Sequence, residues 1–234
     1  MSYRELKEQV LKANLAIVEA GLVKLTWGNV SGTDRKAGVM AIKPSGVPYD
    51  TLTPDDIVVL SIQSGEIVEG KRRPSSDTPT HLLLTREFPF LNGIVHTHSL
   101  HGTSFAQANR DIPCFGTTHA DNFYDAIPCT RAMKPEEIQT DYELNTGHVI
   151  LETFRQRKID PANVPGVLVA SHAPFAWAGT VEKAVENAIV LEFAAQLAMN
   201  TLAIAPDAKP MQQALRDKHF FRKHGPGASY GQVK

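Results

Sequence analysis

The sequence predicts an α/β protein in which helices pack on a mixed or largely antiparallel sheet. Amphipathic helical patterns are interleaved with short runs of apolar and β-branched residues that read as strands. These strands do not follow the strict strand–helix–strand alternation of a parallel, doubly wound sheet. No repeat, low-complexity tract or linker divides the chain. We therefore expect residues 1–234 to form a single domain.

Each predicted element is placed by the residues that begin and end its pattern. A first amphipathic helix is expected over about residues 3–20, because Leu6, Val10, Ala13 and Ile17 share one face and Gly21 can end it. The other predicted elements are, in chain order, strands at 38–46, 56–62 and 65–70, a helix that Ser76 or Asp77 caps with Pro79 in its first turn, a strand at 93–99, a helix at 104–110, a loop-rich stretch through Asp121, a long helix from Pro135 to about Arg157, a strand at 166–172 and a helix from Thr180 to about Ala203.

Composition excludes several functional classes. The formal net charge of -1 argues against an extended nucleic-acid-binding surface or a polybasic membrane contact. No apolar run reaches the roughly 18 residues typical of a transmembrane helix, and the first residues do not resemble a signal peptide. The two cysteines, Cys114 and Cys129, are predicted to be reduced, buried side chains. We therefore expect a cytoplasmic protein with no nucleic-acid or membrane partner.

A pair of histidines, His96 and His98, marks the end of one predicted strand. Side chains two residues apart in a strand point to the same side, so both imidazoles can approach one ion. His172 ends a second apolar run, and Asp77, just before a helix, could add a carboxylate. Three imidazoles with open positions for substrate suit Zn²⁺ or a neighbouring transition ion. The alternative is that these are unrelated histidines, with His172 hydrogen-bonded in the core.

His81 is a weaker candidate ligand. It lies four residues after Asp77, so the two side chains can share one helical face. We rank it below His172 because its position suggests a helix surface.

Three clusters of small polar residues could bind an anion. Glycine allows close approach of backbone N–H groups, serine hydroxyls donate hydrogen bonds, and a helix N-terminus attracts negative charge. Lys43 adds a compact cation that suits phosphate. Each cluster alone is also typical of an ordinary turn. The candidate residues are Gly28 and Asn29 in the first cluster, Lys43, Ser45 and Gly46 in the second, and Ser75 and Ser76 in the third.

These motifs, taken in order, resemble the class II aldolase/adducin family, and the resemblance covers nearly the whole chain. The matching stretches are LTWGNVSG, IKPSGV, RPSSDTPTH, GIVHTHS, GTTHAD, IPCTR, PGVLVASHAPFAW and KHFFRKHGPGASYGQ. The resemblance implies a three-layer α/β/α sandwich and a homotetramer whose active sites lie between subunits.

The resemblance also implies roles for individual residues. It makes Asp77, His96, His98 and His172 the ligands of a divalent metal, Zn²⁺ with Mn²⁺ or Co²⁺ as alternatives. It assigns the three polar clusters to the phosphate of a sugar-phosphate substrate. It implies that Asp121 and Tyr230 are the catalytic acid and base, two roles that spacing alone does not indicate.

The implied activity is epimerisation at C4 of a ketopentose 5-phosphate, by cleavage and re-formation of the C3–C4 bond. Related aldolases carry a glutamate where this chain has Asp77, and the shorter side chain favours an epimerase. The alternatives are an aldolase of the fuculose or rhamnulose phosphate type, the equivalent epimerase of L-ascorbate or L-xylulose catabolism, and an adducin-like interaction module without catalysis.

Overall fold

A single seven-stranded sheet forms the centre of the computed structural model, which describes residues 2–224 and 228. The spatial order of the strands is β4-β3-β2-β1-β5-β7-β6, and every neighbouring pair is antiparallel. The sheet is thus antiparallel throughout its named strands, whereas the sequence left a mixed sheet open. The strands are β1 (Asn29–Asp34), β2 (Val39–Ile42), β3 (Val58–Ser61), β4 (Ile67–Glu69), β5 (Gly93–His96), β6 (Gly166–Leu168) and β7 (Pro174–Ala178).

Helices account for most of the remaining regular structure. Their bounds are α1 (Tyr3–Glu19), α2 (Thr78–Glu87), α3 (Leu100–Gln107), α4 (Thr117–Ala120), α5 (Pro135–Gln139), α6 (Tyr142–Arg157), α7 (Val181–Ile204) and α8 (Gln213–His224). Two 3₁₀ turns, Tyr49–Thr51 and Pro54–Asp56, connect β2 to β3. The predicted first helix and the helix after Asp77 are confirmed, the latter with Asp77 at its N-cap position.

Helices cover both faces of the sheet, because side chains alternate between the faces along each strand. On β2, Val39 and Ala41 pack against α1, whereas Met40 and Ile42 pack with Leu82 of α2. Helix α7 lies on β5 and β7 and also contacts α1, and α6 packs against α2. This is the three-layer α/β/α sandwich that the resemblance implied.

Two strands were not predicted. Strand β1 reads NVSGTD, a composition typical of turns, yet it is a largely buried strand between β2 and β5. Strand β7 follows a turn in which Ser171 has φ 59°, so the predicted strand at 166–172 ends early, at Leu168.

The predicted long helix from Pro135 to Arg157 is wrong in one respect. It is divided into α5 and α6, with Thr140 at φ −103° and ψ −115° between them. A backbone in that region cannot continue a helix, so α6 starts afresh at Tyr142. The predicted loop before Asp121 also contains a short helix, α4.

Helix α7 has the length and apolar composition of a membrane-spanning helix. The sequence prediction had excluded any such segment. In the structure, α7 packs on the sheet with nine of its residues buried, as a core helix does. Its outer side carries the half-exposed Ile189, Phe193 and Leu197, spaced four residues apart, which we call the α7 stripe. Cys114 and Cys129 are buried and free, as predicted.

Candidate metal centre and anion cleft

Three histidines meet where β5 ends and β7 begins. His96 is the last residue of β5 and is the register partner of Phe175 on β7. His98 follows two residues beyond the end of the strand, and His172 lies in the turn that leads into β7. Because β5 and β7 are antiparallel neighbours, these positions fall together. One ring nitrogen from each histidine lies within 4.8 Å of the others, and among the described residues this is the cluster suited to a metal ion.

The imidazole of His96 is held in a defined orientation. Its Nδ1 lies 3.0 Å from the carbonyl oxygen of Pro174. A carbonyl can only accept, so Nδ1 is the donor, and Nε2 is the ring nitrogen left to bind a metal ion. The ring also stacks on Phe175 with centroids 4.2 Å apart. Such outer contacts orient a metal-binding histidine before the ion arrives.

Burial favours the uncharged form of His98 and His172. It lowers the pKa of His172 to about 3, with a further contribution from the neighbouring imidazoles. Burial likewise lowers the pKa of His98. Both rings are therefore neutral near pH 7, with lone pairs available for a cation. The donor set fits a borderline-soft divalent ion.

Asp77 lies at the edge of this cluster. One of its carboxylate oxygens is 4.0 Å from Nε2 of His96 and accepts a 2.7 Å hydrogen bond from Asn29. Burial by itself raises the pKa of Asp77, but the histidines and Asn29 outweigh it and hold that pKa below its usual value. Although Asp77 is at the N-cap position of α2, it makes no capping hydrogen bond. Its carboxylate faces the histidines instead.

An open cleft with a volume of about 350 Å³ adjoins the histidines. All the residues predicted to bind metal or phosphate line it: Gly28, Asn29, Lys43, Ser45, Gly46, Ser75, Ser76, Asp77, His96, His98 and His172. The fold therefore brings three separate polar clusters, each typical of a turn, together in one cleft.

Gly28 brings the backbone of one cluster against the metal-binding strand. Its φ of +100° is unfavourable for other residues, and a Cβ there would lie 2.9 Å from the carbonyl oxygen of His96. The site therefore requires glycine at this position.

Lys43 places its ammonium group in the wall of the cleft. Its side chain is buried, and Nζ donates to the carbonyl oxygen of Pro44 at 3.3 Å. Burial lowers the pKa of Lys43 to about 8. A cation held in this way can be neutralised by an anion that enters the cleft.

Asp121, one of the two residues assigned to acid–base chemistry, does not line this cleft. Asp121 follows α4, and its carboxylate interacts with His219, Arg222 and Lys223 of α8. Burial alone raises the pKa of Asp121, but the hydrogen bonds from His219 and Lys223 and the interactions with the other α8 cations leave it lowered. Tyr230 lies outside the described residues.

Five further cleft residues were not among the predicted site residues: Thr26, Trp27, Pro44, Tyr142 and Glu143. Tyr142 is the most informative, because its hydroxyl is 3.4 Å from Nδ1 of His172. The break between α5 and α6 puts it there, and Thr140-Asp141 was a weak signal for that break.

His81 does not join the cluster, and its predicted surface position is wrong. It is fully buried, with Nδ1 2.8 Å from Oγ of Ser31. Burial lowers the pKa of His81 to about 3, so it is a neutral core histidine beneath the site.

The fold and site together define a class of metal-dependent enzymes that act on small anionic substrates. The chain belongs to the class II aldolase/adducin family: the family model for the class II aldolase and adducin N-terminal domain matches residues 8–199.

Comparison with known proteins agrees with this family membership. The chain is 52% identical over 229 residues to the L-ribulose-5-phosphate 4-epimerase UlaF of Salmonella paratyphi A, covering 98% of this chain and 99% of that protein. The UlaF protein of Salmonella typhi matches equally. Among solved structures, an L-fuculose 1-phosphate aldolase aligns with a TM-score of 0.77 at 23% identity, covering 92% of this chain and 94% of that one. A second such aldolase, from Glaciozyma antarctica PI12, aligns with a TM-score of 0.75 at 17% identity, covering 96% and 84% of the two chains. At these identities the structural likeness shows the fold.

The geometry predicts that His98→Ala abolishes metal retention. Loss of a direct ligand should cost more than the roughly 10–100-fold in affinity typical for loss of an outer partner. Elemental analysis after gel filtration should find about one divalent ion per wild-type chain, as expected for a three-histidine site, and almost none in the variant. The exposed His148, on α6, provides the matched control: His148→Ala should retain the ion. Equal metal content in both variants would contradict the assignment.

Proposed function

We propose that this protein is a 4-epimerase that interconverts L-ribulose 5-phosphate and D-xylulose 5-phosphate. The observation that carries the proposal is the convergence of three imidazoles and Asp77 with three clusters of small polar residues in one cleft. Relatives that are 52% identical over nearly their full length carry the name L-ribulose-5-phosphate 4-epimerase. Asp77 stands where the related aldolases are expected to have a glutamate, which favours epimerisation over aldol cleavage.

Inversion at C4 is difficult by direct proton removal, because the hydrogen on that carbon is not acidic. Cleavage of the C3–C4 bond avoids the difficulty. C4 and C5 then leave as glycolaldehyde phosphate. The aldehyde rotates so that its other face points toward C3, and C3 attacks C4 again from that face. A divalent ion held by the three histidines, with Asp77 beside them, would act as a Lewis acid that stabilises negative charge on nearby substrate oxygens.

The residues of the cleft supply binding and orientation. Lys43 and the hydroxyls of Ser45 and Ser75 line the wall where a phosphate group can be held while the aldehyde rotates. Retention of that fragment distinguishes an epimerase from an aldolase. Asn29 hydrogen-bonds to Asp77 and keeps that carboxylate turned toward the histidines.

Proton transfer requires one group on each face of C4. In our proposal, Asp121 and Tyr230 take the proton from the C4 hydroxyl group on one face and return it on the other. Each such group typically contributes about 10²–10⁴-fold to the rate. We also propose Zn²⁺ as the ion, with Mn²⁺ or Co²⁺ as alternatives.

We further propose a homotetramer in which a neighbouring subunit completes each site. Asp121 is not part of the cleft wall within one chain, and its carboxylate is held by α8. The α7 stripe of Ile189, Phe193 and Leu197 offers an apolar surface for such an assembly. Closed symmetric assemblies of this kind are common among soluble enzymes.

An aldolase is the second candidate, because solved L-fuculose 1-phosphate aldolases share this fold. Product analysis separates the two. The metal-loaded protein and L-ribulose 5-phosphate should yield D-xylulose 5-phosphate, and free two- and three-carbon fragments should stay at trace levels. Accumulation of dihydroxyacetone and glycolaldehyde phosphate without the epimer would support the aldolase instead.

Mixing of inactive variants tests whether sites are shared between subunits. His98→Ala and Asp121→Asn should each be nearly inactive alone. Hybrids formed by co-expression should regain activity, because random assembly leaves about a quarter of the sites with an intact cleft and an intact neighbouring Asp121.

The matched control for this experiment combines two cleft variants, His98→Ala and His172→Ala. Every cleft is then damaged whichever way the subunits combine, so activity should not return. If the first mixture also stays inactive although gel electrophoresis shows hybrids, Asp121 does not act across the subunit interface.

A further inference from the structure

The ammonium group of Lys43 has an unusual environment for a cation. The side chain is 1% exposed, and burial, which opposes its charge, is the sole cause of its lowered pKa. Its described hydrogen bond goes to a neutral carbonyl oxygen, that of Pro44. Something other than a carboxylate must therefore help to hold the charged form in the wall of the cleft before an anion arrives.

Tyr49 lies directly behind Lys43. The centre of its ring is 4.6 Å from Nζ, which places the ammonium over the negative face of the aromatic system. Tyr49 is buried in the 3₁₀ turn Tyr49–Thr51, and it is not part of the cleft wall. Its hydroxyl donates a 2.8 Å hydrogen bond to the carbonyl oxygen of Gly28. One side chain thus contacts two of the three anion-binding clusters.

We propose that Tyr49 is a positioning residue for the anion-binding end of the cleft, where its ring supports the charged ammonium of Lys43 and its hydroxyl holds the backbone of Gly28. The anion is taken to be the phosphate of the substrate, so this inference rests on the proposed function. Tyr49 itself stays a neutral donor, since burial raises the pKa of its phenol.

The ring and the hydroxyl have separable effects. A cation–π contact favours the protonated amine, so loss of the ring should lower the pKa of Lys43 below its value of about 8. The cleft would then lose its cation at a lower pH, and phosphate binding would weaken first on the alkaline side. Loss of the hydroxyl alone should leave this pH dependence unchanged. The other titratable groups that line the cleft are Asp77, His96, His98, Tyr142, Glu143 and His172.

The test measures binding of inorganic phosphate by calorimetry, at pH 6.5 and pH 8.5, with metal-loaded protein. Each variant is compared with wild type at the same pH, so the titration of phosphate itself and of the shared cleft groups cancels. Tyr49→Leu should bind phosphate about 3- to 8-fold more weakly than Tyr49→Phe at pH 8.5 and within about 2-fold of it at pH 6.5, as expected if loss of the ring lowers the pKa by about half to one unit. Tyr49→Phe, which keeps the ring, should retain the wild-type ratio between the two pH values.

Tyr3→Leu is the matched control, since Tyr3 packs in the helical layer on the α1 side of the sheet and does not line the cleft. It should behave as wild type at both pH values. If Tyr49→Leu does not fold, as judged by circular dichroism, Tyr49→Met fills the same space without an aromatic ring and replaces it.

Three results would overturn the inference: equal weakening of Tyr49→Leu at both pH values, a Phe variant that behaves as the Leu variant does, or a Leu variant equal to wild type. Because phosphate binding is measured without turnover, these results are independent of the epimerase assay. A protein that fails to epimerise but shows the predicted pH dependence would contradict the proposed function and leave the role of Tyr49 intact.

Discussion

The pairing of β5 with its two neighbours is the constraint on which the site depends. The register sets Asn29 of β1 opposite His96, and His96 opposite Phe175 of β7. A one-residue slip in either ladder would turn the side chain of His96 to the other face of the sheet. Because β7 starts at this same end, the turn before it delivers His172. The metal centre is thus a consequence of strand order and register.

The same arrangement determines the electrostatics of the site. Burial lowers the pKa of His98 and His172, while the neighbouring imidazoles and the amide of Asn29 hold the pKa of Asp77 below its usual value. The wall of the same cleft also contains Lys43, a buried cation that lies over an aromatic ring. Imidazole donors and a carboxylate at one end suit a divalent cation, and an ammonium whose described hydrogen bond goes to a neutral carbonyl suits a phosphate at the other. A sugar phosphate can satisfy both ends at once.

Local signals in the sequence predicted many of the fold elements and most of the residues that line the cleft. The helix after Asp77 was predicted from a residue type common at N-caps and an early proline, although Asp77 makes no capping hydrogen bond, and the shared direction of His96 and His98 was predicted from the two-residue period of a strand. Strand β1 was missed because its Asn, Ser and Gly are turn residues by local preference, and only burial between β2 and β5 makes them a strand. The division between α5 and α6 was missed because composition favoured a continuous helix. The contacts of Tyr49 with Lys43 and Gly28 arise from tertiary packing. Sequence spacing therefore does not predict them.

We propose that the cleft inverts C4 by breaking and re-forming the C3–C4 bond. The most direct test is to run the conversion of L-ribulose 5-phosphate in D₂O and examine the product by NMR. In this account the C4–H bond is never broken, so D-xylulose 5-phosphate should form with ordinary hydrogen at C4. Incorporation of solvent deuterium at C4 would show that inversion proceeds by proton removal, and would contradict the account.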